Sequence, residues 1–516
     1  MFNSLISRFI TVWKILPNER IKKVLGFIIV IVPLFTIFLL LLINLKKPWE
    51  FDESYNLQIV QNLRSGNGYA TNGAFRGSGP YLFDPYISTG PSVLLPIWVI
   101  SSIVRDTLLA ARLVMFSYFL CMLVLLYRLT PRSNFGRFTF GIMLMALLPT
   151  IIATNPLFVL GEPVTIIYFL LATVAVKRES TTLTGIALAG VVLSKLNFTV
   201  AALVFLLLVI GRYALDRESD TKRFFKRTLR LVSGFVAPLL AFEIYRLISL
   251  GGVTAYRTNI RELRNFVDTQ RLQHWSDSAG FLGAKITSLI NIPGSFVWTA
   301  LGLCIVGLCL TIMTTNRRQE FSQFENSSAF TPALISGVLV LGTFLFLSSA
   351  PFERQAASSF YLIFPLIILV SLQRIRVLML EQSFRVRLIG FSLILMISIP
   401  LGLRTLNIFS ESIETVKSSA FGVALEEQQH AANIVRDSGA TSIMLDGWFQ
   451  NPDYQLLSGI PAASMPESSM KTIMVVSAIK YSFTGTYEDF LNQKDLCNEV
   501  LYSSESLLVC WPKKTR

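Results

Sequence analysis

Two carboxylates, Asp52 and Glu53, stand side by side in FDESYNLQIV, a few residues after the apolar run VLGFIIVIVPLFTIFLLLLINL. A third acid, Glu162, lies in GEPVTIIYFLL, and cations follow along the chain: Lys195 in LSKLNF, Arg257, Arg261 and Arg264 in YRTNIRELRNF, and Arg354 in PFERQ. Acids and cations at the ends of apolar segments suit group transfer from a phosphate leaving group. Arg and Lys hold the departing phosphate, with Arg preferred for its bidentate geometry. A carboxylate removes the proton of the incoming hydroxyl or amine as attack proceeds. If that group is a sugar, a single displacement inverts its anomeric centre, by the opposite-face logic of inverting glycosidases.

Each residue also has a plainer reading. Asp52 could cap a helix or be a solvated loop acid, and Glu162 before Pro163 suits the positive end of a helix dipole. Arg257, Arg261 and Arg264 recur at i, i+4, i+7 beside Ile260, Leu263 and Val267, which an amphipathic surface helix explains without any substrate. Lys195 could snorkel to an interface. The two histidines, His274 and His430, read as surface residues.

The elements that must position these groups are membrane elements. The chain has 516 residues, 52% hydrophobic and 15% charged, with a mean hydropathy of +0.56, which excludes an ordinary soluble protein. The formal charge of +14 comes without a long basic tract or aromatic-basic interleaving, so no nucleic-acid partner is expected. Eleven long apolar runs lie near 25–45, 107–127, 138–154, 163–176, 183–193, 197–211, 229–249, 296–314, 330–350, 357–372 and 387–407. Segment 88–104 sets the parity of all that follow. Reading it as a juxtamembrane or re-entrant helix puts the loops with Arg212, Arg217, Lys222, Arg223, Lys226, Arg227 and Arg230 inside, as the positive-inside bias favours. The expectation is a polytopic α-helical protein of the plasma (inner) membrane, with about eleven spans, its N-terminus cytoplasmic and its C-terminal domain extracytoplasmic.

Residues 1–24 carry an apolar stripe at helical spacing and read as an interfacial helix. Residues 25–410 form the transmembrane unit, with extracytoplasmic loops 46–106 and 251–295. From 411 to 516 the texture is that of a small soluble α/β domain. ALEEQQHAANIVRDSG reads as a helix closed by glycine, and TSIMLDGWF and KTIMVVSAI read as strands. Cys121, Cys304 and Cys309 sit in apolar runs, whereas Cys497 and Cys510 lie where an extracytoplasmic disulfide is one of two open outcomes. No Cys/His spacing calls for a metal, and no cofactor is expected.

The order of these features resembles the GT-C glycosyltransferases, closest to the family 39, protein O-mannosyltransferase-like branch and the bacterial lipopolysaccharide and lipid A sugar transferases. The resemblance rests on Asp52-Glu53 with Tyr55 and RSGNGY after the first span, and on the juxtamembrane stretch DPYISTGPSVLLPIWVI. It continues through Glu162 in GEP, Lys195 in SKLNF, and Arg354 followed by Tyr361 and Pro365. It implies Asp52 as catalytic base, Glu53 and Glu162 as supporting acids, and Lys195, Arg354 and the cationic loop helix as phosphate ligands. Tyr55 and Tyr361 would position acceptor or donor. The implied donor is a polyprenyl-phosphate sugar, and the acceptor an extracytoplasmic glycan, lipid or protein met at the bilayer surface. One departure is that aminoarabinose transferases of lipid A tend to carry a Lys before a Pro-Pro pair where this chain has STGPS. The rival readings are a lipid-linked sugar transporter or flippase, with charges lining a path, and an O-antigen ligase or polymerase.

Overall fold

The computed structural model describes residues 19–72, 80–87, 89–215, 221–272, 278–314, 329–346, 357–380, 384–444, 452–463, 471–477 and 492–513. All eleven apolar runs form helices. In chain order they belong to α1 (Glu19–Leu45), α4 (Thr107–Leu129), α5 (Asn134–Thr154), α6 (Gly161–Lys177), α7 (Thr181–Ser194), α8 (Thr199–Leu215) and α9 (Thr221–Ser249), then α12 (Gly294–Thr314), α13 (Thr331–Phe346), α14 (Phe360–Leu380) and α15 (Phe384–Lys417). The loops between add α2 (Phe51–Arg64), a hairpin of β1 (Ala70–Thr71) and β2 (Tyr81–Leu82), α3 (Pro91–Val104), α10 (Val253–Leu272) and α11 (Ser278–Asn291).

Seven described helices are long and apolar enough to cross a membrane, so the protein is a multi-pass membrane protein. The first of them shows why. Phe27, Ile31, Phe35 and Phe38 form an exposed apolar stripe at i, i+4, i+8, i+11, while Ile37, Leu40 and Leu41 are buried on the other side. A helix apolar all round needs lipid on the face that protein does not cover. α3, the segment that governs parity, has 14 residues and starts on Pro91. At 1.5 Å per residue it is ~21 Å long, short of the ~30 Å hydrocarbon core. α7 has the same 14 residues and packs most closely on α9. There Gly185 and Gly234 face each other's helix, and a Cβ on Gly185 would sit 2.1 Å from the Leu231 carbonyl oxygen. Small residues let helix backbones approach where lipid gives no hydrophobic drive.

The interfacial helix expected over 1–24 lies outside the described residues as far as 18, and residues 19–24 belong to α1. Beyond α15, which runs continuously to Lys417, comes the small C-terminal sheet unit: α16 (Val423–Asp437), β3 (Ser442–Met444), α17 (Pro452–Ser458), β4 (Ala462–Ala463), β5 (Thr472–Ser477), β6 (Cys497–Ser503) and β7 (Leu507–Pro512). The five strands are ordered β4-β3-β5-β7-β6, parallel around β3 and antiparallel at β7. Gly439, in the left-handed region at φ +72°, follows the last turn of α16 as the glycine signal predicts. Cys497 and Cys510 form a disulfide across β6 and β7, with Cα atoms 5.8 Å apart. This resolves the alternative the sequence leaves open.

Candidate active site

α2 begins after Trp49 and carries both acids in its first turn, where the helix dipole favours negative charge. Consecutive helical residues point about 100° apart, so the pair divides. Asp52 is exposed, whereas Glu53 is fully buried. Arg112 of α4 holds the Glu53 carboxylate, with Nη1 donating to Oε1 at 2.7 Å and Nη2 to Oε2 at 3.4 Å. The Val159 N–H donates to the same Oε1 at 3.1 Å. Burial pushes the Glu53 carboxyl up to about 7, against the opposing pull of Arg112 and the Val159 N–H. Arg112 also donates to the Leu157 carbonyl at 2.8 Å, and its guanidinium stacks 4.0 Å from the Trp49 ring centroid.

Arg112 escaped the sequence reading. Its signal was there: it is the only charged residue in ARLVMFSYFLCMLVLL, and an arginine inside a span faces a partner rather than lipid.

The loop 155–160 between α5 and α6 gathers the rest. Val159 serves Glu53 through its N–H, and its carbonyl accepts from Asn56 Nδ2 at 2.7 Å. Glu162 follows in the first turn of α6 and accepts from Lys195 Nζ at 2.6 Å, both side chains being buried. Lys195 caps α7 and pairs as a β-bridge with Thr89. Three chain segments meet here with no room for side chains. A Cβ on Gly90 would lie 2.1 Å from the Leu193 carbonyl oxygen, and one on Gly161 2.4 Å from that of Ser194. Tyr361, at the start of α14, shares a 2.7 Å hydrogen bond with Thr154, the last residue of α5. Tyr55, one turn after Asp52, donates to Asp84 Oδ2 at 2.5 Å, and Thr71 donates to the same oxygen at 2.7 Å. Burial and the Asp84 charge push the Tyr55 phenol far up.

The structure thus joins Asp52, Glu53, Tyr55, Glu162, Lys195 and Tyr361 through α2 and the 155–160 loop. Arg257, Arg261 and Arg264 are placed differently. They are exposed on α10, with Arg264 3.7 Å from Asp268 on its own helix. The opposite face of α10 turns Asn259 and Glu262 toward the β1–β2 hairpin. Arg354 and His274 lie outside the described residues, and His430 is in the C-terminal sheet unit against Tyr502. Among the described residues no group of three or more His, Cys, Asp or Glu could hold a metal ion.

The C-terminal sheet unit bears directly on this site. Gln428 of α16 accepts from the Trp49 N–H and donates to the Trp49 carbonyl, both at 2.8 Å, and its amide also donates to Asp453 at 2.7 Å. Gln455 of α17 accepts from Gln58 of α2 at 3.0 Å. Burial raises the Asp453 carboxyl to about 6, offset in part by the bond from Gln428.

No protein-family model matches the sequence. Nor does any characterised protein match it at the level of sequence. Solved structures do match in fold. ArnT from Cupriavidus metallidurans bound to undecaprenyl phosphate superposes with a TM-score of 0.55 at 11% identity, over 93% of this chain and 97% of that one. The apo form of the same protein gives 0.55 at 12% over the same shares. The Archaeoglobus fulgidus oligosaccharyltransferase AglB, in complex with an inhibitory peptide and a dolichol-phosphate, reaches only 0.43 at 12% identity, over 84% of this chain and 64% of that one. At such identities it is the fold that is shared, and over nearly its whole length this chain has the fold of the GT-C membrane glycosyltransferase ArnT.

Proposed function

We propose that the protein is an inverting glycosyltransferase that moves a sugar from a polyprenyl-phosphate donor to an extracytoplasmic acceptor, with Asp52 as general base. The observation that carries this is the divided acid pair. Glu53 is buried and clamped by Arg112 and Val159, which fixes the first turn of α2 and leaves Asp52 exposed beside it. The shared fold supports it, since one of the ArnT structures contains undecaprenyl phosphate.

In the reaction Asp52 takes the proton of the acceptor hydroxyl or amine as that atom bonds to the anomeric carbon. The bond from that carbon to the phosphate oxygen breaks, and its electron pair leaves on the phosphate. One displacement inverts the centre. Arg257, Arg261, Arg264 and Arg354 are the cations available to the phosphate. Lys195 acts with them if its bond to Glu162 opens, and otherwise fixes the junction of α6 and α7. Tyr55 and Tyr361 border the acceptor and donor paths. The eleven helices built from the apolar runs are the spans, and the N-terminus is cytoplasmic. Residues 25–410 form the catalytic unit, and 411–516 an extracytoplasmic domain of the plasma membrane protein.

The test compares wild type with Asp52→Asn for transfer from labelled polyprenyl-phosphate sugars, in membranes matched for expression and insertion. Transfer by wild type that disappears in Asp52→Asn is the expected result. Transfer that survives removes Asp52 as base, and uptake or flipping of the labelled lipid without transfer replaces the enzyme with a transporter.

A further inference from the structure

A separate cleft of about 630 Å³ opens between the α9–α10 elbow and the β1–β2 hairpin. Tyr81 forms one wall, Thr258 and Glu262 of α10 the other, and Gly251, Gly252 and Thr254 the elbow. The walls are held apart by fixed rungs. Tyr81 donates to Glu262 Oε2 at 2.5 Å. Asn259 donates to the Phe83 carbonyl at 3.0 Å, while its own oxygen accepts from the buried Arg246 at 2.6 Å and 3.0 Å. At the elbow Gly251 and Gly252 have φ of +78° and +131°, and no atom lies within 4 Å of where a Cβ would stand. The cleft is therefore preformed, with bare backbone along one side.

Its chemistry is selective. Among the described residues Glu262 is the single acid lining it and no cation does; hydroxyls, the Asn259 amide, glycine backbone and the Tyr81 ring alternate with the aliphatic side chains of Leu82, Leu250, Val253 and Ala255. A carboxylate beside hydroxyls accepts hydrogen bonds from vicinal hydroxyl groups, and it repels anions in a partly desolvated site. Its position is equally telling. β2 runs on into Phe83 and Asp84, and Asp84 accepts from Tyr55, one turn along α2 from Asp52. The hairpin is thus the wall between the cleft and the helix of the candidate base.

We propose that this cleft is a saccharide-binding site, taking a neutral or amine-bearing sugar unit on Glu262, Thr258 and the open backbone of Gly251–Gly252. Binding itself is independent of the glycosyltransferase reading; only the source of the sugar, acceptor glycan or donor, rests on it.

The experiment is saturation-transfer NMR on the full chain in nanodiscs, with methyl glucoside, methyl glucosaminide and methyl glucuronide as probes. The first two are expected to show transfer and the glucuronide none. Thr258→Leu, which fills the cleft at an exposed position, is expected to abolish both signals. Glu262→Gln, which keeps an acceptor for Tyr81, is expected to abolish the preference against glucuronide. No signal from either neutral or amine-bearing probe overturns the proposal, as does signal unchanged in both variants. Saccharide signal in a preparation without transfer activity upholds the cleft while the transferase reading fails. Where transfer is seen, a raised KM for acceptor in Thr258→Leu assigns the cleft to the acceptor, and a raised KM for donor assigns it to the donor.

Discussion

Two adjacent acids on one helix turn have been given opposite environments, and this decides what each can do. Asp52, accessible to a substrate, is expected to lose about 10²- to 10⁴-fold in kcat as Asn, the usual worth of a positioned general base. Its melting temperature should stay near wild type, as read by thermal unfolding in detergent. Glu53 and Arg112 are a different case, because removing one partner of a buried pair strands the other. Arg112→Met is expected to cost ~3–5 kcal/mol, and the loss should be larger at pH 8 than at pH 5. The sign follows from linkage. Burial already raises Glu53 from 4.5 to about 7, and without Arg112 it rises further, so the stability it contributes in protonated form is lost as pH rises. Glu53→Gln combined with Arg112→Met should recover most of the loss, and no recovery would discard the pair as the cause. Asp52, Glu53 and Glu162 were legible as candidates because acids at span ends are conspicuous in a chain this poor in charge. Arg112 was missed because it sits within an apolar run whose composition reads simply as a span.

At the scale of elements, the site depends on close backbone contacts and on one glutamine. Gly90→Ala is expected to destabilise the protein by ~1–3 kcal/mol, the usual cost of overpacking, because its Cβ would meet the rigid Leu193 carbonyl oxygen at 2.1 Å. The check is thermal unfolding, with Gly211→Ala as control, since a Cβ there meets nothing within 4 Å. Gln428 links α16 to Trp49, Trp49 stacks on Arg112, and Arg112 holds Glu53. Gln428→Ala is therefore expected to lower kcat as well as stability, and Gln428→Glu, which sets a carboxylate oxygen against the Trp49 carbonyl and Asp453, should lower both at least as far. The order and type of elements were largely readable, since apolar runs of membrane length form helices with little choice. The hairpin was not, because its strands are only two residues each, and the contact of Trp49 with Gln428 was not, because it joins residues 379 positions apart.

For the whole molecule, the C-terminal sheet unit is fastened to the helical unit and stapled within itself. Asp453 lies at the fastening, its carboxyl raised by burial from 3.8 to about 6. A raised carboxyl contributes stability fully below 3.8 and loses it as pH rises through 6. Asp453→Asn should accordingly flatten the fall of melting temperature between pH 4 and 7. The Cys497–Cys510 bridge closes a loop with a sequence separation of 13. The double serine variant is expected to lose ~3 kcal/mol on the chain-entropy account, read as denaturant sensitivity of the C-terminal unit in limited proteolysis.

Composition and apolar periodicity by themselves determined that this is a multi-pass helical membrane protein with a small α/β unit at its end. A bilayer allows few backbone solutions, so twenty apolar residues carry most of that information locally. The tertiary structure alone decided which of two neighbouring acids is buried, that Arg112 is its partner, that Lys195 is spent on Glu162, and that the three arginines of α10 face outward. Those outcomes depend on which helix packs against which, and in lipid that choice is made by small residues and single polar pairs rather than by hydrophobicity, which every span shares.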